Sequence, residues 1–166
     1  LAHFLLLGSY FVIRPLRDEM GVAGGVRNLP WLFLGTLLAM LLAHPLFTAL
    51  VGRLPRRRFV PLAYAFFAAN LLLFWGLFRA LPGEAGVWSG RAFFIWTSVF
   101  NLFVVSIFWS LMADLFDPAQ AKRLFGFAAV GGTLGAIAGS AATATLATRI
   151  APTGLLLLSA AMLVLA

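Results

Sequence analysis

The stretch Leu29–Phe59, LPWLFLGTLLAMLLAHPLFTALVGRLPRRRF, decides the fold. From Leu29 to Val51 no residue is charged, and a helix needs about 20 apolar residues to cross the hydrocarbon core of a bilayer. Directly behind that run come Arg53, Arg56, Arg57 and Arg58 with no acid among them. Short connections dense in Arg stay on the cytoplasmic side of a membrane. One stretch therefore predicts both a spanning helix and the direction in which it points.

The whole chain carries the same bias. Of its 166 residues 63% are hydrophobic and 10% charged, and the mean hydropathy is +1.02. Water-soluble domains run at about half apolar and about a quarter charged, so a soluble domain is excluded. The net charge is +7 from twelve Lys and Arg against five acids. Those cations sit at the ends of apolar runs, as membrane topology requires, so the basic balance does not point to nucleic acid. There is no cysteine, which removes disulfides, thiol catalysis and Cys-based metal sites.

Six helical spans are expected, over approximately 1–16, 29–51, 59–78, 92–115, 124–147 and 153–166. Strands are not, because the runs are long and lack period-two alternation. The chain has no initiator Met and stops within LLLLSAAMLVLA, which reads as a piece cut through its first and last spans. With the Arg53–Arg58 link inside, the link DLFDPAQAKRLFG is also inside, and PGEAGVWSG and the 17–27 connection are outside. Asp117-Pro118-Ala119-Gln120 reads as a helix start, with Asp117 capping and Gln120 as its box partner. No internal repeat is evident.

Several features could carry function. In SYFVIRPLRDEMG, Arg14 and Arg17 stand at i and i+3 on one helix face. Their planar guanidiniums could grip one polyanion, or snorkel to headgroups. Asp18 could orient Arg14 or neutralise one charge. Gly131, Gly135, Gly139 and Thr143 recur every four residues, making a smooth ridge for close helix packing, static or sliding. Asp114 could latch to the Arg53–Arg58 cluster or be a solvated acid. Asn101, with Thr97 and Ser98 a turn before it, could line a cavity or bond a neighbouring helix. His3 and His44 stand alone, as packed imidazoles or proton relays. No metal-ligand spacing, cofactor site or nucleophile–base arrangement is present, so an enzyme is not expected.

YFVIRPLRDEMGV resembles the first-span signature of the nucleotide transporter family, the ATP:ADP antiporters of plastids and obligate intracellular bacteria. SVFNLFVVSIFWSLMADLFDPAQAKRLFGFAAVGGTLGAIAGS is similar to that family's fourth and fifth spans, and NLPWLFLGTLLAMLLAHPLF to its second. Two positions differ. Arg17 stands where the family usually has Lys, and no acid lies between Arg91 and Asp114, where the family has a Glu early in the span.

The resemblance implies an all-α membrane protein, a six-helix bundle forming the N-terminal half of a major-facilitator-like secondary transporter in a bacterial inner membrane. It implies a second half of similar build, and an anionic substrate, nucleotide or other phosphate-bearing anion, moved by alternating access. Arg14 and Arg17 would bind the phosphate, Asp18 would hold Arg geometry, and Tyr10 and Asn101 would line the cavity. Arg53, Arg56, Arg57, Arg58 and Asp114 would form the inner latch. Lipid is the expected surroundings. Rival readings are a different major-facilitator carrier, a non-transporting membrane anchor or sensor, and a membrane enzyme completed by other sequence.

Overall fold

The computed structural model describes residues 1–53, 55–81 and 83–166, with the side chains of 50, 51, 56, 57 and 118–122 outside the described set. Among the described residues the chain is helical, with no strand. The helices are α1 Ala2–Ala23, α2 Leu29–Arg53, α3 Arg56–Ala80, α4 Glu84–Leu115, α5 Pro118–Leu146 and α6 Gly154–Val164, with a 3-10 turn at Val26–Asn28. Four segments are long and apolar enough to cross a membrane: Val26–Ala49, Arg58–Ala80, Glu84–Leu115 and Arg123–Leu146. Helix α1 carries Arg14, Arg17, Asp18 and Glu19 and is not among them. Helix α6 has 11 residues, about 16 Å of rise, short of the ~30 Å core.

Two boundaries differ from expectation. Helix α1 continues through Pro15 and past Leu16 to Ala23, because Arg14, Asp18 and Glu19 sit on its surface while Leu16 and Gly21 are buried. It ends where Gly25 takes φ +95°, a backbone open only to glycine at little cost. Helix α4 starts at Glu84, after Gly83 at φ +69°, so most of the expected outer loop PGEAGVWSG is its first turns. Gly90 explains that extension: a Cβ there would stand 3.3 Å from Met20, and its absence lets α4 run on beside α1. Helix α5 begins at Pro118, but the Asp117 side chain makes no capping bond, and Gln120 lies outside the described side chains.

Helix α1 has the most extensive packing. It packs on α4, α5 and α6, while α3 packs on α4 and α6, and α2 on α4. The pairs repeat when α1, α2 and α3 are exchanged for α4, α5 and α6: α1 with α5 becomes α4 with α2, and α1 with α6 becomes α4 with α3. Direction follows the same exchange. His3 meets Phe108 and Arg17 meets Phe94, so α1 and α4 run antiparallel. His3 meets Ala128 and Val12 meets Thr143, so α1 and α5 run parallel, as α2 and α4 do through Phe33–Phe94 and Phe47–Phe103. The bundle thus holds an inverted repeat of three helices that inspection of the sequence does not reveal. A repeat of this kind preserves packing directions, and the residues filling the two copies differ.

Those residues differ in kind. Between α3 and α4 the rings of Phe67, Phe74, Phe93, Trp96 and Phe100 interlock, with Phe74–Phe93 centroids 5.1 Å apart and Trp96 stacked on Phe100 at 5.2 Å. Between α1 and α5 there is almost no side chain. A Cβ on Gly135 would strike the Phe4 carbonyl, and one on Gly139 would come 2.6 Å from the Gly8 carbonyl oxygen. The third glycine of this buried stripe is Gly132, against His3 and Leu7. Gly131 meets nothing within 4 Å. Thr143 closes the seam by donating to the Val12 carbonyl at 3.0 Å.

Candidate functional site

Tyr10, Arg14 and Arg17 fall at i, i+4 and i+7 on α1 and so share one side of it. Arg17 is largely buried, its side chain 14% exposed, and it lies across to α4. Its guanidinium carbon stands 4.0 Å above the centre of the Phe94 ring, and its Nε donates to the Phe94 carbonyl at 3.4 Å. A flat, weakly hydrated cation suits the negative face of a ring better than an ammonium would. The approach is possible because Gly21 leaves room: a Cβ there would be 2.7 Å from Phe94.

Level can be read from neighbours of known register. Phe94 is ten residues inside α4, Phe33, which packs on it, is four inside α2, and Phe74, which packs on adjacent Phe93, is six from the end of α3. At 1.5 Å per residue, Arg17 therefore stands about 6 to 15 Å within the helix ends. Arg14 is one turn further along α1, toward the middle.

The two arginines are not equivalent. Arg17 Nη1 donates to Asp18 Oδ1 at 3.3 Å, and Asp18 is itself 56% exposed. Asp18 thus engages Arg17, its sequence neighbour. Arg14 is exposed over the ring of Phe11 at 5.4 Å, and no ion pair to it occurs among the described residues. Tyr10 is half-buried with its ring edge-on to Phe11 at 5.3 Å. The arrangement presents one open cation, one partly neutralised cation and a phenol along α1, chemistry suited to an anion.

On α4, Asn101 is half-buried, two turns beyond Phe94 on the same side. The hydroxyls before it are already used: Thr97 Oγ1 donates to the Phe93 carbonyl at 2.8 Å and Ser98 Oγ to the Phe94 carbonyl at 3.2 Å. At the other end of the bundle Arg53 and Arg58 are exposed, and Asp114 is exposed in the last turn of α4. The side chains of Arg56 and Arg57 lie outside the described residues.

Two buried polar features were not legible as sites in the sequence. Ser9 and Ser159 clasp α1 to α6, the two Oγ atoms 2.8 Å apart and each also reaching the other's carbonyl. His3 is stacked on Phe108 at 4.3 Å, edge-on to Trp109, with Nδ1 2.7 Å from the Ala128 carbonyl. A carbonyl only accepts, so Nδ1 holds the hydrogen. His3 Nε2 is buried without a partner among the described residues. A lone His gave no sign of this, because its three neighbours come from α4 and α5.

The chain matches no family profile, no curated protein and no solved structure.

Proposed function

We propose that the chain is the N-terminal six-helix half of a major-facilitator-type secondary transporter in a bacterial inner membrane, moving a phosphate-bearing anion by alternating access. Nucleotide exchange of the ATP/ADP type is the leading activity. The observation that carries the reading is Arg17: a guanidinium held well inside the helix ends, on the helix that packs against α4, α5 and α6. Ionisable groups at such depth are rare and functional by default. The inverted triplet of helices supports it, since transporter bundles are commonly built from such repeats with the substrate site near the midplane. In this reading Arg14 and Arg17 hold the anion, Asp18 sets the Arg17 fork, and Tyr10 and Asn101 line the path. Arg53, Arg56, Arg57 and Arg58 with Asp114 close the cytoplasmic side, and a second half of the chain completes the cavity.

A second reading, a carrier of a non-nucleotide organic anion, is favoured by α4. It has no acid between Arg91 and Asp114, and the Thr97 and Ser98 hydroxyls are bound to their own backbone.

The test is counter-exchange by the full chain in liposomes loaded with unlabelled ATP, following labelled ATP and ADP with inorganic phosphate and sugar phosphates as competitors. Arg17→Gln is expected to lower uptake at least about tenfold, the loss of one charge-assisted contact to phosphate, with folding unchanged. Normal transport by Arg17→Gln would sink the assignment of the site. Movement of another anion without nucleotide exchange would select the second reading.

A further inference from the structure

Above the α1–α4 crossing lies a second cation that the transport reading does not use. Arg91, two turns into α4, lines a cavity of about 490 Å³ together with Asn28, Trp31, Leu32, Trp88 and Ile95. Its Nη2 donates to the Gly24 carbonyl at 3.2 Å, and the same oxygen accepts from Asn28 Nδ2 at 2.7 Å. Its guanidinium carbon is 4.5 Å over the Trp88 ring. Arg91 Nε is buried with no partner among the described residues, under Gly24, where a Cβ would be 3.0 Å away. A guanidinium has five N–H donors, and one acceptor is met here.

No acid balances it. Among the described residues Arg91 has no ion pair. Glu84 lies seven residues earlier on the same helix, about 10 Å along the axis and beyond ion-pair reach. The exposed Arg27, next to Asn28, adds positive charge.

The rest of the cavity is amphiphilic. Its lower wall is Leu32 and Ile95, and it opens beside a face of α2 on which Leu34, Leu38 and Leu41 are exposed. Trp31 and Trp88 stand at its mouth, 72% and 66% exposed. Indoles in this position mark the level of lipid headgroups. A free anion would use the Arg and leave the apolar wall unexplained.

We propose that this cavity binds one anionic phospholipid, with the phosphate on Arg91 and Asn28 and an acyl chain along Leu32 and Ile95. The proposal requires α2 and α4 to cross a bilayer, and does not require the protein to be a transporter.

The full chain in detergent is offered phosphatidylglycerol, phosphatidylcholine or inorganic phosphate, and retained ligands are counted by native mass spectrometry. The wild type should retain one phosphatidylglycerol about tenfold more tightly than phosphatidylcholine, the weight of one charge-assisted bond. Arg91→Gln should lose that preference, and Trp31→Ala should weaken retention of both lipids without changing the melting temperature. An Arg91→Gln protein that keeps the preference overturns the proposal. So does displacement of the lipid by inorganic phosphate, which would make this a soluble-anion site. If Arg91→Gln fails to fold, because it loses the bond to Gly24, Trp31→Ala decides, and unchanged retention there overturns the proposal.

Discussion

Where α1 meets α5, Gly135 and Gly139 bring the two backbones into contact, and Gly132 makes room for His3 and Leu7. The seam is tied by His3 to the Ala128 carbonyl at one end and by the Thr143 hydroxyl to the Val12 carbonyl at the other. Where α3 meets α4, five aromatic rings fill the space between helices that stand apart. In lipid there is no hydrophobic gain in bringing helices together, so cohesion has to come from packing and from polar contacts. The two interfaces reach it by opposite routes. The glycine seam gains contact by approach, and at Gly135 and Gly139 its neighbours are backbone atoms that cannot step aside. The ring layer gains contact by volume, and its neighbours are side chains with rotamers to spend.

The difference sets an order of damage. Gly135→Leu should be worst, since its side chain must enter the Phe4 backbone: a loss above about 3 kcal/mol, seen as disappearance of the monodisperse peak of the full chain in detergent. A Gly135→Leu protein that elutes and melts like the wild type would break the distinction between the interfaces. Phe93→Leu removes a fully buried ring from the other layer. The neighbouring rings can close in, and a loss of about 1–2 kcal/mol in thermal or denaturant melts is expected. Gly131→Ala is the control. A Cβ there meets nothing, and alanine is the better helix former, so stability should stay level or rise by up to about 1 kcal/mol. A marked loss at Gly131 would shift the seam by a residue and recast which face α5 presents.

That last contrast also shows how far the sequence could be read. A repeat of every fourth residue suggests Gly131 in line with Thr143. At 100° per residue the two lie about 120° apart around the helix, while Gly132 lies within about 20° of Thr143. Glycine spacing revealed a close interface, and only the true pitch chooses its members. The apolar runs were legible because composition alone forces helices in lipid. The start of α4 was not, because Gly83, Gly86 and Gly90 look like loop residues until Gly86 is seen against the Leu81 carbonyl and Gly90 against Met20. At the candidate site, the sequence places Arg14 and Arg17 on one face, but not their divergence onto Phe11 and Phe94. The cavity at Arg91 was hidden altogether, since Gly24 and Asn28 reach it through a turn 67 residues upstream.

The packing of α1 on α5 and α6 has a further consequence, in time rather than space. Its polar partners are made late: Ala128 follows His3 by 125 residues, and Ser159 follows Ser9 by 150. At synthesis rates of 5–20 residues per second, that is a wait of roughly 6 to 30 s. During it, a helix carrying two arginines and two acids has none of the cover that α5 and α6 later give it. Its bare glycine at position 8 and its unsatisfied serine are then open to any passing helix. Helix α1 is thus made well before two of the helices that cover it, and the order of synthesis leaves it open to misdirected pairing in the interval.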